Sequence, residues 1–245
     1  MIILINLLQE EWGLNRIEVR DNGSGISAKD VPFVAQPHYT SKLKSDKDLE
    51  KLTTYGFRGE ALSALCALSS VTLLTKTPPD PVAVSYTFDS CGKVAATKPS
   101  PASCGTTITT CNLFKNMPVR KQFYGNLKKC KEEFKKVEDL VIAFGLIHPQ
   151  LRILLRHNKN IIWQKSKVSN HRTALISIFG ASTFSQMEQL HYFDQENDCS
   201  LEITAYLPKA GSNVNVTSRI TSDRCFIYVN ERPVILKKVL QVRTV

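Results

Sequence analysis

A carboxylate followed by two spaced glycines, in Asp21-Asn22-Gly23-Ser24-Gly25-Ile26, is the first arrangement in this sequence able to do chemistry. A carboxylate at a strand end can accept a hydrogen bond from an exocyclic ring amine such as that of adenine. The glycines remove side chains, so a flat ring can lie against backbone. Asn-Gly and Ser-Gly pairs also mark ordinary turns, so this segment alone decides nothing. Tyr55-Gly56-Phe57-Arg58-Gly59-Glu60-Ala61-Leu62 is more telling. A glycine-rich turn that opens directly into a helix presents unpaired N–H groups and a positive dipole end to phosphate. Gly105-Thr106-Thr107-Ile108 adds hydroxyls that could stand beside a base, although such a strand start is common.

Charge is the second signal. Residues 111–172 hold 14 Lys or Arg against 4 Asp or Glu, and the rest of the chain holds 18 of each, so the whole net charge of +10 lies in that quarter. A surface that neutralises phosphates looks like this, because each Lys or Arg set on a phosphate releases condensed counterions. A solvated basic face that serves only solubility looks the same from charge alone. Metal chemistry through His or Cys is not expected. The seven cysteines are odd in number and scattered without a Cys-x-x-Cys pair, and the five histidines show no His-Glu-x-x-His spacing. That cysteine usage fits a reducing compartment.

With 245 residues and 42% hydrophobic content the chain can bury the cores of one or two domains. Disordered, collagen-like and coiled-coil classes fall away on composition. The longest uncharged apolar run, Met1–Leu8, is far short of the ~20 residues that cross a bilayer and lacks signal-peptide flanks.

The elements that must position these residues follow from periodicity. The apolar start and Ile17–Arg20 read as strands joined through residues 10–15 and feeding the glycine turn. Residues 31–53, polar and carrying Pro32 and Pro37, read as a long loop rather than packed structure. Residues 59–69 read as a buried helix, and Val71–Thr75, Val82–Phe88 and Thr106–Leu113 as strands of an antiparallel sheet. Leu127, Cys130, Phe134, Val137, Val141 and Phe144 recur at helical spacing with lysines between them, and Gly145 is placed as the C-terminal cap. Residues 151–156 and 161–165 make a hairpin about His157-Asn158-Lys159-Asn160. Leu201–Leu207 and Cys225–Val229 supply strands of a second unit, with the boundary at residues 175–185.

The three chemical segments, in this order and spacing, resemble the nucleotide-binding motifs of the GHKL ATPases, the family of gyrase B, Hsp90, histidine kinases and MutL. The resemblance is to the MutL amino-terminal region. It rests on Arg20–Ile26, Tyr39-Thr40-Ser41-Lys42, Tyr55–Leu62, Gly105–Thr107 and Leu113-Phe114-Lys115-Asn116-Met117-Pro118-Val119-Arg120-Lys121-Gln122-Phe123. Phe226–Val234 is similar to the strand and turn of MutL's second, ribosomal-S5-like domain, and within the family the similarity is greatest to eukaryotic PMS-type subunits. The implied fold is α/β: a GHKL two-layer α/β sandwich over residues 1–178, then a partial S5-like transducer domain over residues 179–245.

The resemblance also implies roles. Asp21 would receive the adenine amine, Gly23 and Gly25 would make room for the ring, and Thr106 or Thr107 would support Asp21 through a hydroxyl or water. Thr40, Ser41 and Lys42 would lie on a lid loop, and Gly56, Phe57, Arg58 and Gly59 with the following helix start would cradle the phosphates. Lys115, Arg120, Lys121, Lys128, Lys129, Lys131, Lys135 and Lys136 would meet DNA without reading its sequence. ATP with Mg2+, a second MutL-type subunit in a heterodimer, MutS-type mismatch-recognition proteins and the nucleus are implied in the same way.

One departure stands beside the match. MutL proteins carry, on a helix some 25 residues before the Asp-x-Gly-x-Gly turn, a Glu that activates the attacking water and an Asn that binds magnesium. Glu11 and Asn15 share the Glu-x-x-x-Asn spacing, but Gly13 interrupts them and Asn15 lies only six residues before Asp21. The chain is therefore expected to lack two central parts of hydrolysis. It reads either as a shortened form of a mismatch-repair ATPase or as a non-hydrolysing scaffold that binds DNA and a partner, and the first reading is favoured.

Overall fold

Alternation of apolar and polar side chains sets the strands of the first half of the molecule, and their pairing is seen in a computed structural model that describes residues 4–37, 60–196, 199–217 and 224–236. The chain divides into two units, Met1–Val141 with Gln150–Lys167, and Ile142–Pro149 with Val168–Val245. The first holds β1 (Leu4–Glu10), β2 (Arg16–Asp21), β3 (Ser70–Lys76), β4 (Ala83–Phe88), β5 (Val94–Ser100), β6 (Gly105–Cys111), β7 (Arg152–His157) and β8 (Asn160–Lys165). They form one sheet in the order β5-β4-β3-β6-β2-β1-β7-β8. The sheet is mixed rather than antiparallel throughout, because β1 runs parallel to β7.

Period-two alternation puts Ile17, Val19 and Asp21 on one face of β2 and Arg16, Glu18 and Arg20 on the other. Register carries the first face across the sheet, with Val19 opposite Ile108 and Ile108 opposite Leu73. The core lies on this side. Val71 and Leu73 of β3 and Phe88 of β4 pack with Val31, Ala35 and Cys66, the last on helix α1 (Ala61–Leu68). Full burial stabilises each large side chain by about 1.5–3 kcal/mol. Burial pushes the Cys66 thiol up to about 11, so it packs as a small apolar group and not as a nucleophile.

Two expectations are corrected here. The start of the supposed long loop is packed: Val31–Phe33 forms a single 3-10 turn, and Val31 and Ala35 are fully buried. Pro32 sets the backbone for that turn, and Val31, Val34 and Ala35 then point into the core. Residues 38–53 of the same stretch lie outside the described residues. Gly145 is not a cap. Helix α2 (Pro118–Tyr124) is followed by α3 (Leu127–Ile147), which runs through a buried Gly145 and stops before Pro149, whose ring disfavours helix in the residue ahead of it. Asn126 caps the start of α3, accepting from the Lys128 amide at 3.0 Å.

Trp12, in the connection between β1 and β2, stacks on His157 with ring centroids 4.2 Å apart and meets Phe134 of α3 edge-on at 5.7 Å. Desolvation in this aromatic pocket holds the His157 imidazole below its ordinary value of about 6.5. The unfolded chain therefore takes a proton that the folded chain resists, and stability falls as pH drops below about 6.5. Thermal unfolding between pH 5 and 8 checks this. His157→Phe should flatten the acid side of the profile, and an acid loss of the same size in both proteins would refute it.

In the second unit α4 (His171–Phe179) starts at Asn170, whose side chain accepts from the Thr173 amide at 2.9 Å. After α5 (Ala181–Ser185), strands β9 (Met187–Glu196) and β10 (Cys199–Pro208) form a hairpin. Past α6 (Val214–Thr217), β11 (Ile227–Val229) and β12 (Arg232–Val234) pair around Asn230 and Glu231, both at positive φ as a tight hairpin turn requires. Tyr228 donates its hydroxyl to the Ala143 carbonyl at 2.8 Å. Among the described residues no helix is long and apolar enough to cross a membrane.

Candidate functional site

Strand β2 delivers Asp21 to the edge of the glycine turn. The Asp21 Oδ1 accepts from the Gly23 amide at 2.7 Å, and Oδ2 is the second acceptor of the same carboxylate. Gly25 has φ +74, and a Cβ there would stand 2.2 Å from the Lys76 carbonyl oxygen. Gly105, at φ +130, opens β6, and its Cβ would stand 2.2 Å from the Asp21 carbonyl oxygen. Both glycines are therefore demanded by backbone pressed on backbone.

Register then sets a row of three side chains on one face: Asp21 opposite Thr106, and Thr106 opposite Thr75. Thr75 is buried, accepts from the Ile26 amide at 2.8 Å and donates to the Gly105 carbonyl at 3.2 Å. One hydroxyl thus ties the glycine turn to β3 and β6. The sequence reading missed Thr75; its signal was a hydroxyl at the inward period of a strand otherwise filled by Val71 and Leu73. Thr107 falls on the opposite face beside Arg20 and Leu74, where it lines a concavity of about 380 Å³. Of the two threonines, the register brings only Thr106 to Asp21.

Thr40, Ser41, Lys42, Gly56, Phe57, Arg58 and Gly59 lie outside the described residues. α1 does begin at Ala61, directly after that glycine segment. Glu11 and Asn15 are not on a helix. Glu11, Trp12 and Gly13 have φ of 49, 59 and 87, a left-handed turn between two strands, and the Asn15 carbonyl accepts from the Asn112 amide at 2.8 Å. Among the described residues no group of three His, Cys, Asp or Glu side chains is placed to hold a metal ion.

The basic segment is partly neutralised by its own helix. Lys129 pairs with Glu132 at 3.1 Å and Glu133 at 3.4 Å, Lys135 with Glu138 and Asp139 at 3.0 Å each, and Lys136 with Glu133 at 2.8 Å. Lys115 donates to the Ser70 hydroxyl at 3.3 Å, and the Arg120 guanidinium lies 5.7 Å over the Phe114 ring. Lys121, Lys128 and Lys131 are exposed, with no ion pair among the described residues.

Comparison with known proteins now bears on this arrangement. No protein-family model matches the chain. Human PMS1 protein homolog 1 is 46% identical over 238 residues, which is 97% of this chain and 25% of that protein. The chain is a MutL-type amino-terminal region. It spans about a quarter of the length of such curated relatives; DNA mismatch repair protein PMS1 of Arabidopsis thaliana, 38% identical over 97% of this chain, is likewise covered to 25%. A crystal structure of the N-terminal domain of a DNA repair protein superposes on the MutL-type region with a TM-score of 0.80 at 28% identity, covering 98% of this chain and 71% of that one. The Aquifex aeolicus MutL ATPase domain complexed with ADP superposes at 0.66 over 97% of this chain and 78% of that one; at 19% identity it bears on fold alone. The MutL-type region has that α/β fold of the GHKL ATPase domains.

Proposed function

We propose that this MutL-type region binds ATP at the Asp21 turn and serves DNA mismatch repair, its ATP-dependent closure on DNA coupling mismatch recognition to later steps. The observation that carries the reading is the row Asp21, Thr106 and Thr75, which sets a carboxylate beside a hydroxyl at a turn pinned by a second, buried hydroxyl. Asp21 Oδ2 takes the adenine amine, Thr106 supports it through its hydroxyl or a water, and Gly23 and Gly25 let the ring approach. Thr40, Ser41 and Lys42 form the lid, and the amides of residues 56–59 hold the phosphates. The ADP in the Aquifex aeolicus MutL structure supports a nucleotide here. Residues 1–178 are assigned to the nucleotide domain and residues 179–245 to a partial S5-like transducer. Mg2+ is implied with ATP.

A second reading is a nucleotide-responsive scaffold that binds DNA and a second MutL-type subunit without hydrolysis; the left-handed turn at Glu11–Gly13 keeps Glu11 and Asn15 from serving as the helix-borne pair that activates water and binds magnesium. Titration with a non-hydrolysable ATP analogue and Mg2+, then phosphate release from ATP on the same sample, separates the two. Saturable binding supports the nucleotide site, and release supports hydrolysis. No binding at millimolar analogue would refute both nucleotide readings.

Work in the nucleus with MutS-type recognition proteins follows from the same proposal. Duplex DNA binding should weaken steeply with salt. Lys121→Ala, Lys128→Ala and Lys131→Ala together should lower the slope of log affinity against log salt by about 3, near 0.9 per lost phosphate contact. The matching triple change at Lys129, Lys135 and Lys136 should lower it less, because those lysines already face carboxylates. Equal affinity at 50 and 200 mM salt would exclude phosphate contact.

A further inference from the structure

We infer that α2 and the start of α3 form a docking ridge for an acidic, amphipathic helical segment of a partner protein. Helix α2 has no buried residue. Val119 is 80% exposed, Phe123, one turn later, 60%, and Leu127, which opens α3, 58%. Neighbouring apolar side chains left this open on a folded unit mark an interaction surface.

The ridge is held firmly from behind. Tyr124 stacks on Phe114 with centroids 5.4 Å apart, Arg120 covers the same ring, and the Cys130 thiol donates to the Tyr124 carbonyl at 2.9 Å. Phe123 meets Tyr124 edge-on at 5.2 Å, so its outward pose is set before any partner arrives. Beside it runs an open groove of about 560 Å³ with Val119, Gln122 and Phe123 on one wall and Lys128, Lys129 and Glu132 on the other.

Charge chooses the occupant. Of the cations lining the groove, Lys129 is held by Glu132 and Glu133 while Lys128 has no ion pair among the described residues, and Lys131, three residues further along α3 and outside the groove, has none either. An apolar floor with a free ammonium rim fits a helix that presents apolar side chains along one stripe and carboxylates beside it. A DNA duplex can meet the same lysines through its phosphates, but it leaves Val119, Phe123 and Leu127 uncovered, so the apolar ridge calls for an occupant with apolar side chains of its own.

The test uses the full 245-residue chain and a fluorescein-labelled peptide of about 16 residues, with Leu along one helical face and Glu on the other. A scrambled peptide of the same composition and a DNA duplex serve as the other probes. Saturable binding of the patterned peptide is expected, weakened about tenfold or more by Val119→Ser with Phe123→Ser. Lys128→Ala with Lys131→Ala should weaken it several-fold and reduce its salt dependence. Circular dichroism should show both variants folded, since all four side chains are exposed. Duplex affinity should survive the apolar double change. Absent binding, equal binding of the scrambled peptide, or unchanged affinity in the apolar variant would overturn the inference. Loss of duplex binding in that variant would overturn it as well and make α2 a DNA contact.

Discussion

Replacing Asp21 by Ala is expected to weaken binding of a non-hydrolysable ATP analogue by about 10–100-fold, the range set by losing a hydrogen bond to a charged acceptor. Asp21→Asn is the sharper version. An amide oxygen can still accept from the Gly23 amide and hold the turn, while its NH2 now faces the adenine NH2, donor against donor. Affinity should therefore fall with little change in melting temperature. The same carboxylate should favour ATP over GTP, because guanine presents an acceptor where adenine presents an amine. Thr106→Val should weaken binding several-fold, and Thr107→Val, on the far face, should not. Isothermal titration across these variants reads all of this, and an Asp21→Asn protein that binds like the parent would remove Asp21 from the site.

The second large effect is on stability. Gly25→Ala places a methyl at φ +74 and 2.2 Å from the Lys76 carbonyl oxygen. The left-handed backbone alone costs about 1–2 kcal/mol, and forcing backbone apart in a packed site adds about 1–3 kcal/mol. The sum of about 2–5 kcal/mol corresponds to a melting temperature lower by roughly 5–20 °C for a chain of this size. Gly105→Ala should behave alike, since its methyl would press on the Asp21 carbonyl. Thermal unfolding decides, and a loss under about 2 °C at Gly25 would mean that the turn relaxes freely.

The parts of the fold that were legible in the sequence are those whose side chains face two environments. β2 and β3 alternate and α3 repeats at helical period, because each buries one side, while β7 shows instead as the apolar run Ile153, Leu154 and Leu155, buried throughout. β5 carries Lys98 and Pro99 at the sheet edge and is mostly exposed, so no apolar period announces it. α2 buries nothing and leaves no periodic trace. β9 interleaves Glu, Gln, His and Asp with its apolar residues and resembles a surface loop. At the site the motif exposed Asp21 and the glycines, because turn chemistry is written in residue type. Choosing Thr106 over Thr107 needed the strand register, and finding Thr75 needed the pairing of β3 with β6.

The parallel seam between β1 and β7 has a consequence for how the chain is made. β1 pairs with β2 within a few residues, but its other edge waits for Arg152–His157, more than 140 positions later. At about 5–20 residues per second a ribosome takes roughly 10–30 s to supply that partner. Through that interval the emerging segment Leu4–Glu10, rich in Leu and Ile, offers open amide and carbonyl groups to any neighbouring chain. Yield of soluble protein should thus depend on translation speed and on chaperones that shield nascent chains, more than on the stability of the finished sheet.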